Sequence, residues 1–374
     1  MSNSEFIPVN EPLLEGNEEK YLVECIRTGW ISSEGPFVKL FEERFAEYVG
    51  RKHAITVTNG TAALDAATEA LGIGPGDEVI VPTFTIISCL GQICRCGAKP
   101  VLVDSDPLTW SMDVDQVESR ITTRTKAIML VHIYGLPVDI DPILTLAGKY
   151  DLKVIEDAAE AHGQTYKGEP CGSFGDISTF SFYPNKHVTT GEGGMIVCDD
   201  DDLAESCRSL RNLCFQPKQR FVHERLGWNL RMTNMQAAIG LAQLEQLDKF
   251  VSSKRRMGAR YTELLADVEG LQLPLPSTAY ADNNYWVYGL VVGDTLHISA
   301  TEAMRKLAEK GVGSRPFFYP MHHQPVFQDM GLFESESYPV AERLGRDGFY
   351  LPSGLALRDD QIERTVSVLR EILR

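Results

Sequence analysis

The stretch Phe180–Met195 reads FSFYPNKHVTTGEGGM and holds a single lysine, Lys186. An apolar run, Ile177–Phe182, leads into this stretch, and a turn rich in threonine and glycine follows the lysine. The run predicts a buried strand, so we expect Lys186 at the end of that strand. Burial lowers the pKa of an amine and makes it a better nucleophile. The ordinary alternative is a lysine exposed on a loop.

The composition predicts a globular protein of about two domains. The chain has 374 residues, of which 43% are hydrophobic and 24% are charged, and this length allows a large buried core. Its net charge of -16 argues against nucleic acid or an anionic membrane as the main partner. The sequence has neither a long apolar run nor a signal-peptide pattern at its start, so we expect a cytoplasmic protein without a membrane span.

The eight cysteines do not follow the spacing of a disulfide framework or of a zinc site. Cys94 and Cys96 are too close in sequence for the usual zinc-binding pair, and no second pair follows them. We therefore expect buried, reduced thiols and no metal ion.

Short apolar strands alternate with helical patterns through the first half of the chain. The predicted strands are His53–Val57, Glu78–Pro82, Pro100–Asp104, Ala127–His132, Lys153–Ile155 and Ile177–Phe182. The helical patterns between them include Ala62–Leu71, Ile86–Cys96, Asp113–Ile121 and Asp141–Tyr150. This alternation predicts an α/β fold in which a mostly parallel sheet lies between two layers of helices.

The second part of the chain predicts a smaller domain. A helical pattern begins near Trp228 and runs past Leu247 towards Leu265, which predicts one long connecting helix. Strands at 285–292 and 312–314 and helices at 298–310 and 360–373 follow. We predict a large domain over residues 1–245, including an N-terminal helical segment, and a smaller C-terminal α+β domain over residues 246–374.

Polar residues follow several of the predicted strands. Asp157 lies at the end of the strand Lys153–Ile155, and Gly60 and Thr61 form a turn between a strand and a helix. Parallel sheets bind ligands at the carboxyl ends of their strands, and such a turn can hold a phosphate. We therefore expect Asp157 and Lys186 to face one crevice. The alternatives are that Asp157 only caps a helix and that the turn has no ligand.

One segment opposes the acidic character of the chain. Only Glu224 accompanies its six basic residues, which are Arg208, Arg211, Lys218, Arg220, Arg225 and Arg231. Such a segment can bind an anion such as a diphosphate. Solvated charges on a helix and a loop are an equally good interpretation.

Five segments, in this order along the chain, resemble a known family: TNGTAAL, GIGPGDEVIVPTFT, EDAAEAHG, SFYPNKHVTTGEGGMI and NLRMTNMQAAIG. Over nearly its whole length the chain resembles the sugar aminotransferases of the DegT/DnrJ/EryC1/StrS group, which are pyridoxal-phosphate enzymes of fold type I. The resemblance implies a seven-stranded sheet, pyridoxal 5'-phosphate as the cofactor, and a homodimer with shared active sites. It also implies L-glutamate and a nucleotide-linked ketosugar as substrates.

Two further segments indicate which members of the family the chain resembles most. WISSEGPFV (Trp30–Val38) and SRPFFYPMHHQP (Ser314–Pro325) are most similar to members that aminate GDP-4-keto-6-deoxy-D-mannose for polysaccharide synthesis. An aminotransferase for a UDP- or dTDP-linked ketosugar is the alternative. A regulatory module that binds pyridoxal phosphate is a non-enzymatic alternative. A branch of the family that performs dehydration has histidine at the lysine position, so Lys186 favours transamination.

The resemblance also assigns roles to single residues. Lys186 would form the Schiff base with the cofactor, Asp157 would pair with the pyridine nitrogen, and Glu160 would lie near the ring hydroxyl. The residues expected to hold the cofactor phosphate are Gly60, Thr61, Ala62 and Ser181, together with Asn229 from the neighbouring subunit. The residues expected near the sugar nucleotide are Arg220, Arg231, Arg315 and His322.

One position departs from the family pattern. Relatives carry an aromatic residue that stacks on the cofactor ring, whereas this chain has Ile86 at that position. Either Ile86 supplies a plain apolar contact, or Phe84, two residues earlier, replaces the missing ring.

Overall fold

The computed structural model describes residues 6–216 and 218–373. The α-helices in chain order are α1 (Glu18–Thr28), α2 (Pro36–Val49), α3 (Gly60–Ala70), α4 (Ile87–Arg95), α5 (Ile140–Tyr150), α6 (Asp201–Arg211), α7 (Asn234–Leu244), α8 (Leu247–Leu265), α9 (Ala300–Glu309), α10 (Pro325–Asp329), α11 (Pro339–Asp347) and α12 (Asp359–Leu373). The strands are β1 (His53–Val57), β2 (Glu78–Pro82), β3 (Lys99–Val103), β4 (Thr125–Val131), β5 (Lys153–Asp157), β6 (Thr165–Tyr166), β7 (Glu169–Pro170), β8 (Ile177–Ser181), β9 (Gly194–Cys198), β10 (Leu271–Gln272), β11 (Tyr288–Val292), β12 (Arg315–Pro316) and β13 (Gly348–Leu351).

The larger sheet has seven strands in the order β1-β9-β8-β5-β4-β2-β3. Strand β9 runs antiparallel to both of its neighbours, and the other pairs are parallel. Successive residues of β4 enter opposite faces, because Met129 packs in one apolar cluster while Ile128 and Leu130 pack in another. Burial on both faces explains the continuous apolar runs in the sequence. The predicted α/β fold with a mostly parallel seven-stranded sheet is confirmed.

The second sheet is antiparallel and has four strands in the order β10-β11-β13-β12. A third apolar cluster fills the space between this sheet and helices α8, α9 and α12. Ile7 joins this cluster and forms a bridge with Val312. The division of the chain at residues 245 and 246 stays a prediction, and α8 begins just after it.

The prediction of a single long helix after Trp228 is wrong. The structure has two helices there, α7 and α8, with a break at Glu245–Gln246, and residues 228–233 are not helical. Thr233 ends the extended segment because its side chain and that of Gln236 form a capping box at the start of α7. The apolar periodicity continues across both ends and therefore hides them.

The helix expected over Asp113–Ile121 is also absent. Two short 3₁₀ turns, Val114–Gln116 and Glu118–Arg120, take its place. The Asp113 carboxylate accepts hydrogen bonds from the Asp115 N–H and the Gln116 side chain, which tightens the turn. All eight cysteines lie in the described part of the chain and are free thiols. None of the described helices is both long and apolar enough to cross a membrane.

Candidate active site

A cavity of about 620 Å³ lies where the carboxyl ends of the parallel strands meet the second sheet. Asp157, Glu160 and Lys186 line it from the side of the large sheet. Trp286 and Arg315 line it from the side of the small sheet. The cavity is therefore built from both layers of the molecule.

Lys186 lies in the turn that follows β8, where its N–H donates to the Tyr183 carbonyl at 2.9 Å. Its side chain is 10% exposed, and its Nζ lies 3.5 Å from the Glu160 Oε1. The same Nζ lies 3.7 Å from the centre of the Trp286 ring. Burial lowers the pKa of the Lys186 amine, and the charges of Glu160 and Asp157 oppose this shift. The side chain is thus held as a buried amine, as the sequence predicts.

Asp157 is the last residue of β5, and its carboxylate is buried. One oxygen accepts a hydrogen bond from the Ala159 N–H at 3.0 Å, and the other accepts from the Cys89 thiol at 3.2 Å. Burial raises the pKa of Asp157, while these two donors and the nearby Lys186 oppose the rise. Asp157 and Lys186 face the same cavity, as expected from their places in the sheet.

The neighbouring Glu156 points to the opposite face of the sheet. Its carboxylate lies 2.9 Å from the His132 Nε2 and accepts from the Ser178 hydroxyl at 2.9 Å. The alternation of side chains along a strand explains why only one of the two acids reaches the cavity.

Glu160 is 6% exposed and lies between Lys186 and the backbone of Tyr134. Its Oε2 accepts from the Tyr134 N–H at 2.9 Å. Burial raises the pKa of Glu160 to about 7, although Lys186 and the Tyr134 N–H lower it. A proton can therefore reside on Glu160 near neutral pH.

The start of α3 forms a cradle at another side of the cavity. Asn59 caps this helix, and its side chain accepts the Ala62 N–H at 2.8 Å. The N–H groups of Gly60 and Thr61 lie in the first turn, where a helix provides no backbone acceptor for them. A Cβ atom at Gly60 would lie 2.8 Å from the Ser181 Cβ, so glycine lets these two segments approach closely. The Ala62 N–H, which was expected at the phosphate, is thus bonded to Asn59, and the N–H groups of Gly60 and Thr61 are the ones available to an anion.

Pyridoxal phosphate, which the resemblance implies, fits the residues present. Its aldehyde requires an amine, its ring nitrogen a carboxylate, and its phosphate a set of N–H and hydroxyl donors. Lys186, Asp157 and the start of α3 with Ser181 supply these groups around one cavity.

The two residues proposed for the stacking position differ in their placement. Ile86 lines the cavity and is 42% exposed. Phe84 is fully buried outside the lining, where its ring packs on those of Tyr134, Phe317 and Phe318. Ile86, rather than Phe84, therefore offers the apolar surface at this position.

The residues expected near the sugar nucleotide lie in different places. Arg315 lines the cavity, whereas His322 is buried outside the lining, 2.8 Å from the Thr83 Oγ1 and 3.3 Å from the Glu342 Oε1. Burial lowers the pKa of His322. His322 is held by side chains of the surrounding structure and does not reach the cavity of its own chain.

The basic segment lies outside this cavity as well. Arg231 lines a separate cavity of about 500 Å³ and donates to the Asn212 Oδ1 at 2.6 Å. Arg220 is exposed and lies 4.8 Å from the centre of the Phe215 ring. Asn229 is exposed and pairs with the backbone of Asn212. These three residues do not contact the cavity of their own chain.

The sequence did not indicate several residues of the site, and Trp286 and Cys89 are two of them. Trp286 is about a hundred positions away from Lys186, and no local pattern connects them, yet its indole N–H donates to the Asn185 carbonyl at 2.8 Å. Cys89 lies in the first turn of α4, after the carboxyl end of β2. Its position after a strand end is a signal that could have placed it near the site.

The raised pKa of Glu160 predicts a pH-dependent contribution to stability in the cofactor-free protein. A carboxyl whose folded pKa is about 7 and whose ordinary pKa is 4.5 stabilises the fold fully below the lower value, and this contribution is lost as pH rises through about 7. We expect the difference in unfolding free energy between the wild type and Glu160→Gln to fall over this range. Denaturant titrations at several pH values measure it. Glu169→Gln, at an exposed position, is the control, and a difference that is constant with pH would contradict the prediction.

Comparison with known proteins agrees with this geometry. Residues 12–370 match the DegT/DnrJ/EryC1/StrS aminotransferase family. A GDP-perosamine synthase from Caulobacter vibrioides is 46% identical over 374 residues, which is the full length of both chains. A GDP-perosamine synthase from Escherichia coli O157:H7 is 44% identical and covers 96% of each chain. The crystal structure of the aminotransferase TlmJ from Streptoalloteichus hindustanus has a TM-score of 0.91 and 31% identity, with 98% of each chain covered. The chain therefore belongs to the DegT/DnrJ/EryC1/StrS aminotransferase family.

Proposed function

We propose that the protein transfers the amino group of L-glutamate to GDP-4-keto-6-deoxy-D-mannose and so forms GDP-perosamine. Pyridoxal phosphate is the cofactor of this activity. The observation that carries the proposal is the meeting of a buried amine, Lys186, with the carboxyl groups of Asp157 and Glu160 at one cavity. The choice of sugar is supported by three GDP-perosamine synthases that are 41% to 46% identical over nearly the whole chain.

When bound, pyridoxal phosphate supplies an electron-poor ring that accepts the electron pair left on the donor carbon. Lys186 takes the proton from the α-carbon of glutamate through its Nζ and later delivers a proton to the acceptor carbon. Burial lowers the pKa of the Lys186 amine and so favours its neutral form, which is the form that accepts the proton. Glutamate leaves as 2-oxoglutarate, and the ketone of the sugar becomes an amine.

The other side chains of the cavity bind and orient. The Asp157 carboxylate would hold a proton at the ring nitrogen, and the Cys89 thiol and the Ala159 N–H fix that carboxylate in place. The N–H groups of Gly60 and Thr61 and the Ser181 hydroxyl would hold the phosphate. Trp286 covers one side of the lysine and restricts water there.

The active sites are shared between two copies of the chain. Asn229 is exposed and lies outside the cavity of its own chain. Exposed large apolar side chains precede it in sequence, among them Phe221, which is 80% exposed, and Leu226, which is 92% exposed. Such a group of exposed apolar side chains is typical of an interface. If a second copy of the chain covers this segment, Asn229 and Arg220 of the first copy would reach the cavity of the second.

Replacing the lysine tests the proposal directly. We expect Lys186→Ala to lower turnover by about 10²–10⁴-fold or more, because the variant has no group that moves the proton. Formation of 2-oxoglutarate from glutamate in the presence of the ketosugar measures it. Lys39→Ala, at a side chain that is 82% exposed, is the control. Turnover near the wild-type rate in Lys186→Ala would refute the assignment.

An aromatic side chain at position 86 should strengthen cofactor binding. Ring stacking contributes about 0.5–1.5 kcal/mol, so we expect Ile86→Phe to lower the dissociation constant of pyridoxal phosphate by about 2- to 10-fold. Fluorescence titration of the cofactor-free protein measures this constant. Ile87→Phe is the matched control, because Ile87 is 41% exposed and does not line this cavity. An equal change in both variants would show that stacking at position 86 is not the cause.

The role of the basic segment is tested at Arg220. If its guanidinium binds the diphosphate of the sugar nucleotide, we expect Arg220→Gln to raise the KM for that substrate by about tenfold. The variant would lose a charged hydrogen bond, which contributes about 1.5 kcal/mol to binding. The half-reaction with glutamate should keep its rate. Arg255→Gln, at an exposed position of α8, is the control. An equal loss in both half-reactions would reject this role for Arg220.

The sugar and the enzymatic nature are tested together by a substrate panel. The protein is incubated with glutamate and GDP-, UDP- and dTDP-linked ketosugars, and the products are identified by mass. A UDP- or dTDP-linked amino sugar as the main product would replace the proposed substrate. A regulatory module would bind pyridoxal phosphate, seen as a visible absorbance band, and would transfer no amine to any of the sugars.

A further inference from the structure

Lys254 is a second buried amine, and the mechanism above does not use it. It lies in α8 and is 2% exposed. Its Nζ donates to the carbonyl oxygen of Trp286 at 2.9 Å and to that of Ser353. Among the described residues, no carboxylate lies within ion-pair distance of this nitrogen. Lys254 is therefore bound by two backbone carbonyls and has no countercharge there.

Burying the Lys254 ammonium group costs free energy that the packing of its side chain does not require. Removing an ammonium group from water costs several kcal/mol unless partners compensate for it. Burial, together with the charge of Lys186, lowers the pKa of Lys254 to about 7. A methionine of similar volume would fill the same space without this cost. What the amine adds is its ability to donate hydrogen bonds.

The two carbonyls belong to the ends of two paired strands. Trp286 lies two residues before β11, and Ser353 lies two residues after β13. These strands are antiparallel neighbours, and the Ser353 hydroxyl accepts the Tyr288 N–H at 2.9 Å. The hydrogen bonds of Lys254 therefore connect α8 to the end of this strand pair that carries Trp286 and Ser353. Trp286, at this end, lines the cavity.

Trp286 links Lys254 to Lys186, because it contacts both side chains. Its carbonyl accepts from Lys254, its indole N–H donates to the Asn185 carbonyl, and its ring lies 3.7 Å from the Lys186 Nζ. A shift of the Trp286 backbone would move the ring that packs on Lys186. Lys254 itself does not line the cavity.

We propose that Lys254 is a positioning residue for amine transfer, because its hydrogen bond to the Trp286 carbonyl holds the indole ring against Lys186. The inference rests on the proposed function, in which the Lys186 Nζ moves the proton. It adds to that function a residue that contacts neither substrate nor cofactor.

The test compares Lys254→Met with the wild type, both as full-length protein loaded with pyridoxal phosphate. We expect kcat per bound cofactor to fall by about tenfold or more, because a misplacement of about 1 Å can cost about 10²-fold. KM for both substrates should change little. Two further readouts are the visible circular dichroism of the bound cofactor and the rate at which the cofactor-free protein captures it. We expect both to change.

Lys249→Met is the matched control, since Lys249 lies on the exposed side of the same helix. A merely structural role would lower the melting temperature and the cofactor content but leave kcat per bound cofactor and the dichroism of Lys254→Met unchanged, and that result would overturn the inference. Should Lys254→Met fail to fold, Lys254→Leu, which also lacks a donor, takes its place and is judged by kcat per bound cofactor and by the dichroism. Failure of the proposed function itself is distinguishable, because the wild type would then transfer no amine.

Discussion

The central constraint of this structure is a lysine amine held out of water between a carboxylate and an indole ring. Burial alone would favour the neutral amine, whereas Glu160 and the Trp286 ring both favour the charged form. Burial is the larger of these opposing effects, so the pKa of the Lys186 amine lies below that of an exposed lysine. Glu160 is subject to the same competition, since burial raises its pKa to about 7. Glu160 can therefore gain or lose a proton near neutral pH.

The parallel pairing of β5 and β8 brings this amine and Asp157 together. Asp157 pairs in register with Thr179 of β8, and seven residues beyond Thr179 the chain reaches Lys186. Because both strands end at the same edge of the sheet, the carboxylate and the amine face one cavity despite their separation in sequence. A shift of one residue in β5 would turn Glu156 towards the cavity in place of Asp157. The register of this strand is thus part of the chemistry.

The sequence predicted those features of the structure that depend on the local pattern of apolar residues. The apolar runs predicted six of the seven strands of the large sheet, all except β9, and the single lysine after β8 predicted the amine of the cavity. The pattern failed where apolar spacing continued across a capped helix start, as at Thr233. It also failed for contacts between distant segments, because nothing near Trp286 or Lys254 in the sequence indicates that they meet beside Lys186. Such contacts depend on how the second sheet packs on the first.

The charge of the molecule places a further constraint on recognition. Glutamate and a nucleotide diphosphate sugar, the proposed substrates, are anions, whereas the chain has a net charge of -16. Its overall field therefore opposes their approach, although salt confines this effect to roughly 8 Å at physiological ionic strength. Attraction must come from cations within that distance of the cavity. Arg315 is such a cation in the same chain, while Arg220 and Arg231 lie outside the cavity. Among the residues that the structure describes, Arg315 is therefore the arginine that lines the cavity of a single chain, and Arg220 and Arg231 would add to it only in the proposed dimer.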